Sequence, residues 1–213
     1  MSETLFDAIR AGDTVRLAEL LGADPNAHAE APDGFTPLQT AISELDDARN
    51  VDAIVLLLRH GAQVNNWDRH RESTPLLMAV FRNQGEAVRM LLAAGADPNV
   101  RGDEGYSPLR FCAQEGFVEM ARLLLLCGAT KTINEWGGER AMTALGLAAR
   151  GLHVEMVKLL LAFGADPHAR DVDRFTALDC LRLVDAAEAA AQDRLEQIRR
   201  LLGAAAREDS ADG

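Results

Sequence analysis

One short phrase returns five times along the chain: Thr36-Pro37-Leu38, Thr74-Pro75-Leu76, Ser107-Pro108-Leu109, Thr143-Ala144-Leu145 and Thr176-Ala177-Leu178, at intervals of 38, 33, 36 and 33 residues. A second phrase alternates with it, as GADPN at 22–26, GAQVN at 61–65, GADPN at 95–99, GATKT at 128–132 and GADPH at 164–168. Self-similarity near 33 residues means that one supersecondary unit is stacked repeatedly. Each unit then leans on its neighbours alone, so the 213 residues are expected to form one array.

The stretch from Glu104 to Asn134 shows what the unit is. Ser107 can cap a helix by accepting a backbone N–H, and Pro108 suits the first helical position, where no donor is missed. A short first helix over Pro108 to Gln114 carries Leu109, Phe111, Cys112 and Ala113. Gly116 ends it, as a left-handed residue should. The second helix, from Val118, is apolar around much of its circumference, and Gly128 stops it. In the preceding repeat Asn83 stands where Gly116 stands here, and Asn is the next-best residue for positive φ. One such pair cannot bury its own apolar face, so stacking is obligatory.

These phrases resemble the ankyrin-repeat family over nearly the whole chain: the Thr-Pro-Leu start, alanine at the close-packed helix position (Ala41, Ala79, Ala148), the Leu-rich ending before Gly-Ala-Asp, and turns of the His153 type. The resemblance implies an all-α solenoid of stacked helix-turn-helix units joined by hairpin-like loops. Six repeats are expected within residues 1–203: an N-terminal cap at 1–32, then 33–66, 67–102, 103–135, 136–170, and a C-terminal cap at 171–203, where the segment is either one long helix or a broken pair. Residues 204–213 are expected to fray. Two departures stand out. The histidine that usually follows Thr-Pro-Leu is replaced by Gln39, Leu77, Arg110, Gly146 and Asp179. Leu152 also occupies a turn position where glycine is expected.

Composition narrows the function more than it names it. With 48% apolar and 26% charged residues the chain has the material for a core. Its longest apolar runs, such as Leu123 to Cys127, fall far short of the roughly 18 residues that cross a bilayer. Met1-Ser2-Glu3-Thr4 lacks the basic and apolar regions of a secretory signal, which points to a cytoplasmic protein. Cys112, Cys127 and Cys180 have no metal-binding spacing and are expected to be buried free thiols. No phosphate loop, HExxH, GxSxG or EF-hand spacing occurs, and the recurrent Asp24, Asp97 and Asp166 belong to turns. No catalytic residue, metal site, cofactor or small-molecule substrate is therefore expected.

Charge is uneven. Residues 1–58 hold 3 basic and 11 acidic side chains, residues 59–101 hold 6 and 4, and residues 102–213 hold 13 and 18. A net charge of −11 disfavours nucleic acid, whose phosphates need a basic face. The partner expected is another protein. Extra residues lie at Ser43 to Asn50, near Trp67, and at Trp136 to Glu139, and insertions in repeats map to exposed loops. Each tryptophan either covers a neighbouring repeat or stands exposed as an anchor, and the residues leave both open.

In the resembling family, hairpin tips and first-helix ends line a concave groove. By position this places Arg69, His70, Arg71, Ser73, Phe81 and Arg82 in the third repeat, with Trp67 at its lengthened loop as a candidate anchor. It places Asp103, Glu104, Tyr106, Gln114 and Glu115 in the fourth, and Glu139, Arg140, Met142 and Arg150 in the fifth, with Trp136 at that lengthened loop as a second candidate anchor. Arg174 and Phe175 follow in the sixth, with Asp173 and Leu183 beside them. Two functions follow as expectations: a protein-binding scaffold using that groove, or a regulatory inhibitor whose acidic face blocks an enzyme site or a nucleic-acid-binding surface.

Overall fold

Every copy of the Thr-Pro-Leu phrase starts a helix for the same physical reason. In the computed structural model, which describes residues 4–22, 34–45, 51–70, 73–102, 105–137, 141–185 and 189–209, the hydroxyls of Thr36, Thr74, Ser107, Thr143 and Thr176 each accept the backbone N–H three residues on. These distances lie between 3.1 and 3.3 Å. Each cap satisfies one of the donors that a helix start leaves open.

The chain divides into two compact units, Met1–Gly102 and Asp103–Gly213. In the first unit the helical pairs are α1 (Leu5–Ala11) with α2 (Thr14–Leu20), α3 (Pro37–Ser43) with α4 (Val51–Arg59), and α5 (Pro75–Phe81) with α6 (Gly85–Ala93). First helices pack on first helices and second on second, as stacking requires. Leu17, Leu38, Ile54, Leu57, Leu76 and Leu91 are sealed between them.

The second unit repeats the scheme with α7 (Pro108–Glu115), α8 (Val118–Leu126), α9 (Ala144–Arg150), α10 (Val154–Ala162), α11 (Ala177–Arg182) and α12 (Ala189–Asp209). Leu109, Leu124, Leu145, Leu160 and Ile198 form its core. Two short strands, β1 (Trp136–Gly137) and β2 (Met142–Thr143), pair antiparallel at the lengthened loop, Trp136 opposite Thr143 and Gly137 opposite Met142. The C-terminal repeat is the broken pair of the two forms anticipated. Helix α12 runs to Asp209, through residues expected to fray; Ala204-Ala205-Ala206 favours helix, and His168 Nε2 approaches the Ala206 carbonyl at 3.3 Å.

The turn between paired helices needs one residue at positive φ. Gly116 supplies it at 74°, Asn83 at 55° and Leu152 at 54°, so leucine is carried at the position where glycine is expected. The Gly-Ala-Asp endings behave as turns: Asp97 accepts from the Asn99 N–H at 2.9 Å and Asp166 from the His168 N–H at 2.7 Å.

Neighbouring repeats are tied by side chains that reach the next unit's backbone. Gln39 Nε2 donates to the Ser73 carbonyl at 2.8 Å while its Oε1 accepts the Thr36 N–H at 2.9 Å. Arg110 Nε donates to the Met142 carbonyl at 3.1 Å, and a second guanidinium N–H meets the Gly105 carbonyl. These two replacements for the family's histidine therefore make bonds between repeats. Burial pushes the Arg110 guanidinium down to about 10, partly offset by its attraction to Tyr106 and the Glu135 carboxylate. Gly146 makes no such tie. A Cβ there would lie 3.2 Å from the capping Thr143 Oγ1 and 3.4 Å from Cys180 Sγ, at van der Waals contact with α11.

The expectation of three buried thiols is corrected at one position. Cys112 and Cys180 are buried, whereas Cys127 is exposed. Cys127 is the C-cap of α8 and follows the exposed Leu126, at the helix end that the stack does not cover.

Candidate functional site

In the first unit, the hairpin before α5 is closed by Asp68, whose buried carboxylate accepts the Ser73 N–H at 2.7 Å. The Arg69 N–H binds the Gly34 carbonyl at 2.9 Å, and the side chains of Arg69 and His70 stay exposed at the tip. Phe81 ends α5 with 39% of its surface exposed, and Arg82 follows as the C-cap, reaching the Ser43 carbonyl at 3.2 Å. Trp67 is half-buried. Arg71 lies outside the described residues, as do Asp103, Glu104, Glu139 and Arg140 in the second unit.

In the second unit five of the residues expected along the groove come together. Met142, Arg150, Asp173, Phe175 and Leu183 line one cavity of about 220 Å³ with Asp171 and Cys180. Strand β2 contributes Met142, the end of α9 Arg150, the hairpin before α11 Phe175, and α11 with its C-cap the other wall. Met142, expected as an apolar anchor, is only 5% exposed, because its pairing with Gly137 and its place behind α9 cover it. Phe175 and Leu183 stand out instead, 42% and 60% exposed. The Arg150 guanidinium is exposed and makes no hydrogen bond or ion pair with the described residues.

Asp171 shapes this site, and the period of the repeats does not announce it. Its Oδ1 accepts the N–H of Asp173 at 2.9 Å and of Phe175 at 2.8 Å, folding the hairpin around a buried carboxylate. Asp68 takes the N–H just before the Thr74 cap in the same way, so an aspartate five or six residues ahead of the capping threonine was the available signal. Asp173, on the same hairpin, also lines the cavity.

The other expected residues are separate. Trp136 is exposed on β1, Tyr106 is half-buried ahead of α7, and the Gln114 amide turns to Glu115 Oε1 at 2.9 Å. Arg174 is exposed at the hairpin tip with φ 65°.

Burial and the adjacent Asp171 carboxylate push the Cys180 thiol up to about 12, the opposite of what an attacking thiolate requires. Among the described residues no group of three His, Cys, Asp or Glu side chains is arranged to hold a metal ion, and no helix is long and apolar enough to cross a membrane.

The family model for ankyrin repeats matches in three copies, over residues 5–102, 72–135 and 109–212. Alpha-latroinsectotoxin-Lt1a of Latrodectus tredecimguttatus is 37% identical over 109 residues, 51% of this chain and 8% of that protein. NF-kappa-B inhibitor alpha of Sus scrofa is 29% identical over 153 residues, 70% of this chain and 48% of the relative. The chain thus spans less than half the length of either. An ankyrin-repeat domain from Acinetobacter baumannii AYE superposes with a TM-score of 0.79 at 28% identity, covering 94% of this chain and 96% of that one. Repeats of this kind generally mediate protein–protein contacts and are typically not catalytic.

Proposed function

The chain belongs to the ankyrin-repeat family, and from that premise we propose that it is a non-catalytic scaffold holding another protein on its first helices and hairpin tips. The observation that carries this is the open cavity of the second unit, where Phe175 and Leu183 are exposed beside the exposed Arg150. Aromatic side chains and arginine are the types enriched at interface centres, and an exposed ring beside an exposed guanidinium offers a partner both an apolar and a charged contact. In the first unit Arg69, His70, Phe81 and Arg82 offer a basic and aromatic counterpart, with Arg71 by position; Glu104, Tyr106, Gln114, Trp136, Arg140 and Arg174 complete the proposed contact set.

The test is partner capture from the native source by the whole chain, compared with two double variants. Arg150→Ala with Phe175→Ala is expected to weaken capture by about tenfold or more, since truncated hot-spot residues cost upward of ~1.4 kcal/mol. Arg69→Ala with Arg82→Ala reports on the first unit. Thermal unfolding of the Arg150, Phe175 variant should stay close to wild type, whereas the Arg69, Arg82 variant also loses the Arg82 bond to the Ser43 carbonyl and should be destabilised by about 1 kcal/mol. Capture at full strength by both variants would end this reading.

A second reading is a regulatory inhibitor. The likeness to NF-kappa-B inhibitor alpha supports it, as does the excess of 11 acidic over 3 basic side chains in residues 1–58. Its partner would be a basic surface, and its binding would fall steeply with added salt. Salt-insensitive capture favours the scaffold reading.

A further inference from the structure

We propose that the cavity of the second unit receives an arginine side chain from an extended segment of the partner, with Asp171 and Asp173 as its counter-charges. This rests on the protein-binding reading above and supplies the chemistry of what is bound.

One charge at this cavity has no counter-ion among the described residues. Asp171 is 8% exposed, and among the described residues no ammonium or guanidinium lies within ion-pair distance of it. Two backbone N–H groups occupy Oδ1, whereas Oδ2 meets only the Cys180 thiol at 3.8 Å, a weak donor. A buried carboxylate ordinarily has a cation or a full set of strong donors. The nearby arginines do not supply one. Arg170 gives its guanidinium to the Arg174 carbonyl at 2.7 Å, and Arg182 pairs with Asp179 at 3.0 Å.

The room for a cation is next to it. The cavity that Asp171 lines is open to solvent, and Asp173 lines it too, with a side chain that makes no hydrogen bond or ion pair with the described residues. Against the two carboxylates stands Arg150, so the lining carries a net charge of −1, which one cation neutralises. An acidic side chain would find Arg150 but would also face both aspartates.

The walls select among cations. Phe175 offers an exposed ring on which a guanidinium can stack, and Leu183 an aliphatic surface for the three-carbon stem. Two carboxylates beside a flat apolar wall match a planar fork of five donors better than the compact, strongly hydrated ammonium of lysine.

The experiment uses the isotope-labelled full chain and three capped pentapeptides, acetyl-Ala-Leu-Xaa-Leu-Ala-amide with Arg, Gln or Glu at the centre, followed by amide chemical shifts. The arginine peptide is expected to give saturable shifts at Asp173, Phe175 and Leu183 at millimolar concentration. The glutamine peptide should bind at least about fivefold more weakly, and the glutamate peptide weaker still. Asp173→Asn, at a side chain that makes no hydrogen bond or ion pair with the described residues, should weaken the arginine peptide about fivefold and leave the glutamine peptide unchanged. Equal binding of the arginine and glutamine peptides, tighter binding of the glutamate peptide, absence of shifts at these amides, or indifference to Asp173→Asn would each overturn the assignment. Loss of partner capture in the Arg150→Ala, Phe175→Ala variant together with any of those results would sink the arginine assignment alone. Capture unaffected by either double variant would sink the scaffold reading itself.

Discussion

Alanine in place of Gly116 is expected to destabilise the second unit by about 3 kcal/mol, from a left-handed backbone penalty and from overpacking of the site. Gly116 has φ 74°, and a Cβ there would lie 2.7 Å from His153 Nδ1 and 2.8 Å from its Cε1. The imidazole cannot simply swing away. Its Nε2 is held 3.0 Å from the Gln114 carbonyl, and a Cβ at Gly151 would meet the same ring at 2.5 Å. His153 is therefore wedged between the inter-helix turns of two successive repeats. Asn83→Ala, at the equivalent turn of the first unit, meets the backbone penalty at φ 55° and should cost only about 1 kcal/mol. Denaturant unfolding of the two variants side by side measures the difference. Equal losses would mean that the ring does not constrain the turn.

The second large effect is expected at Leu160. Leu160→Ala should cost about 3–4 kcal/mol, because truncating a sealed leucine adds a residual cavity to the lost transfer energy. Leu160 is fully buried on α10, which packs against α8, α9 and α12, so the void touches both neighbouring pairs. Leu202, 2% exposed, sits in the terminal pair, where α12 has α10 and α11 on one side only. Leu202→Ala should therefore cost less. In a stack governed by nearest neighbours, a central defect weakens two interfaces and a terminal one weakens a single interface. Calorimetric unfolding of both variants decides it, and equal losses would contradict that ordering.

What could be read in the sequence follows from how local each interaction is. The caps at Thr36, Thr74, Ser107, Thr143 and Thr176 join residues three apart, so the phrase alone announced them. The turn at Asn83 was legible for the same reason, and Leu152 was legible as an anomaly. The ties made by Gln39 and Arg110 were not. They span 34 and 32 residues, and whether a given side chain reaches the next repeat's carbonyl depends on stacking distance. Cys127 lay outside the core because burial at a helix end is set by where the neighbouring pair stops. The candidate site was half visible. Arg150 and Phe175 came from the periodic position, Met142 was covered by strand pairing, and Asp171 escaped notice because it works inside a hairpin whose length differs between repeats.

Replacement of Phe175 by a photoreactive phenylalanine analogue, with the same analogue at Leu126 as the comparison, reports where the bound partner sits. Both side chains are apolar and exposed, Leu126 at 69%, but Leu126 lies on a second helix and Phe175 beside the cavity. The scaffold account predicts that the bound partner is labelled from position 175 and not from position 126. Labelling from 126 with none from 175 would contradict it.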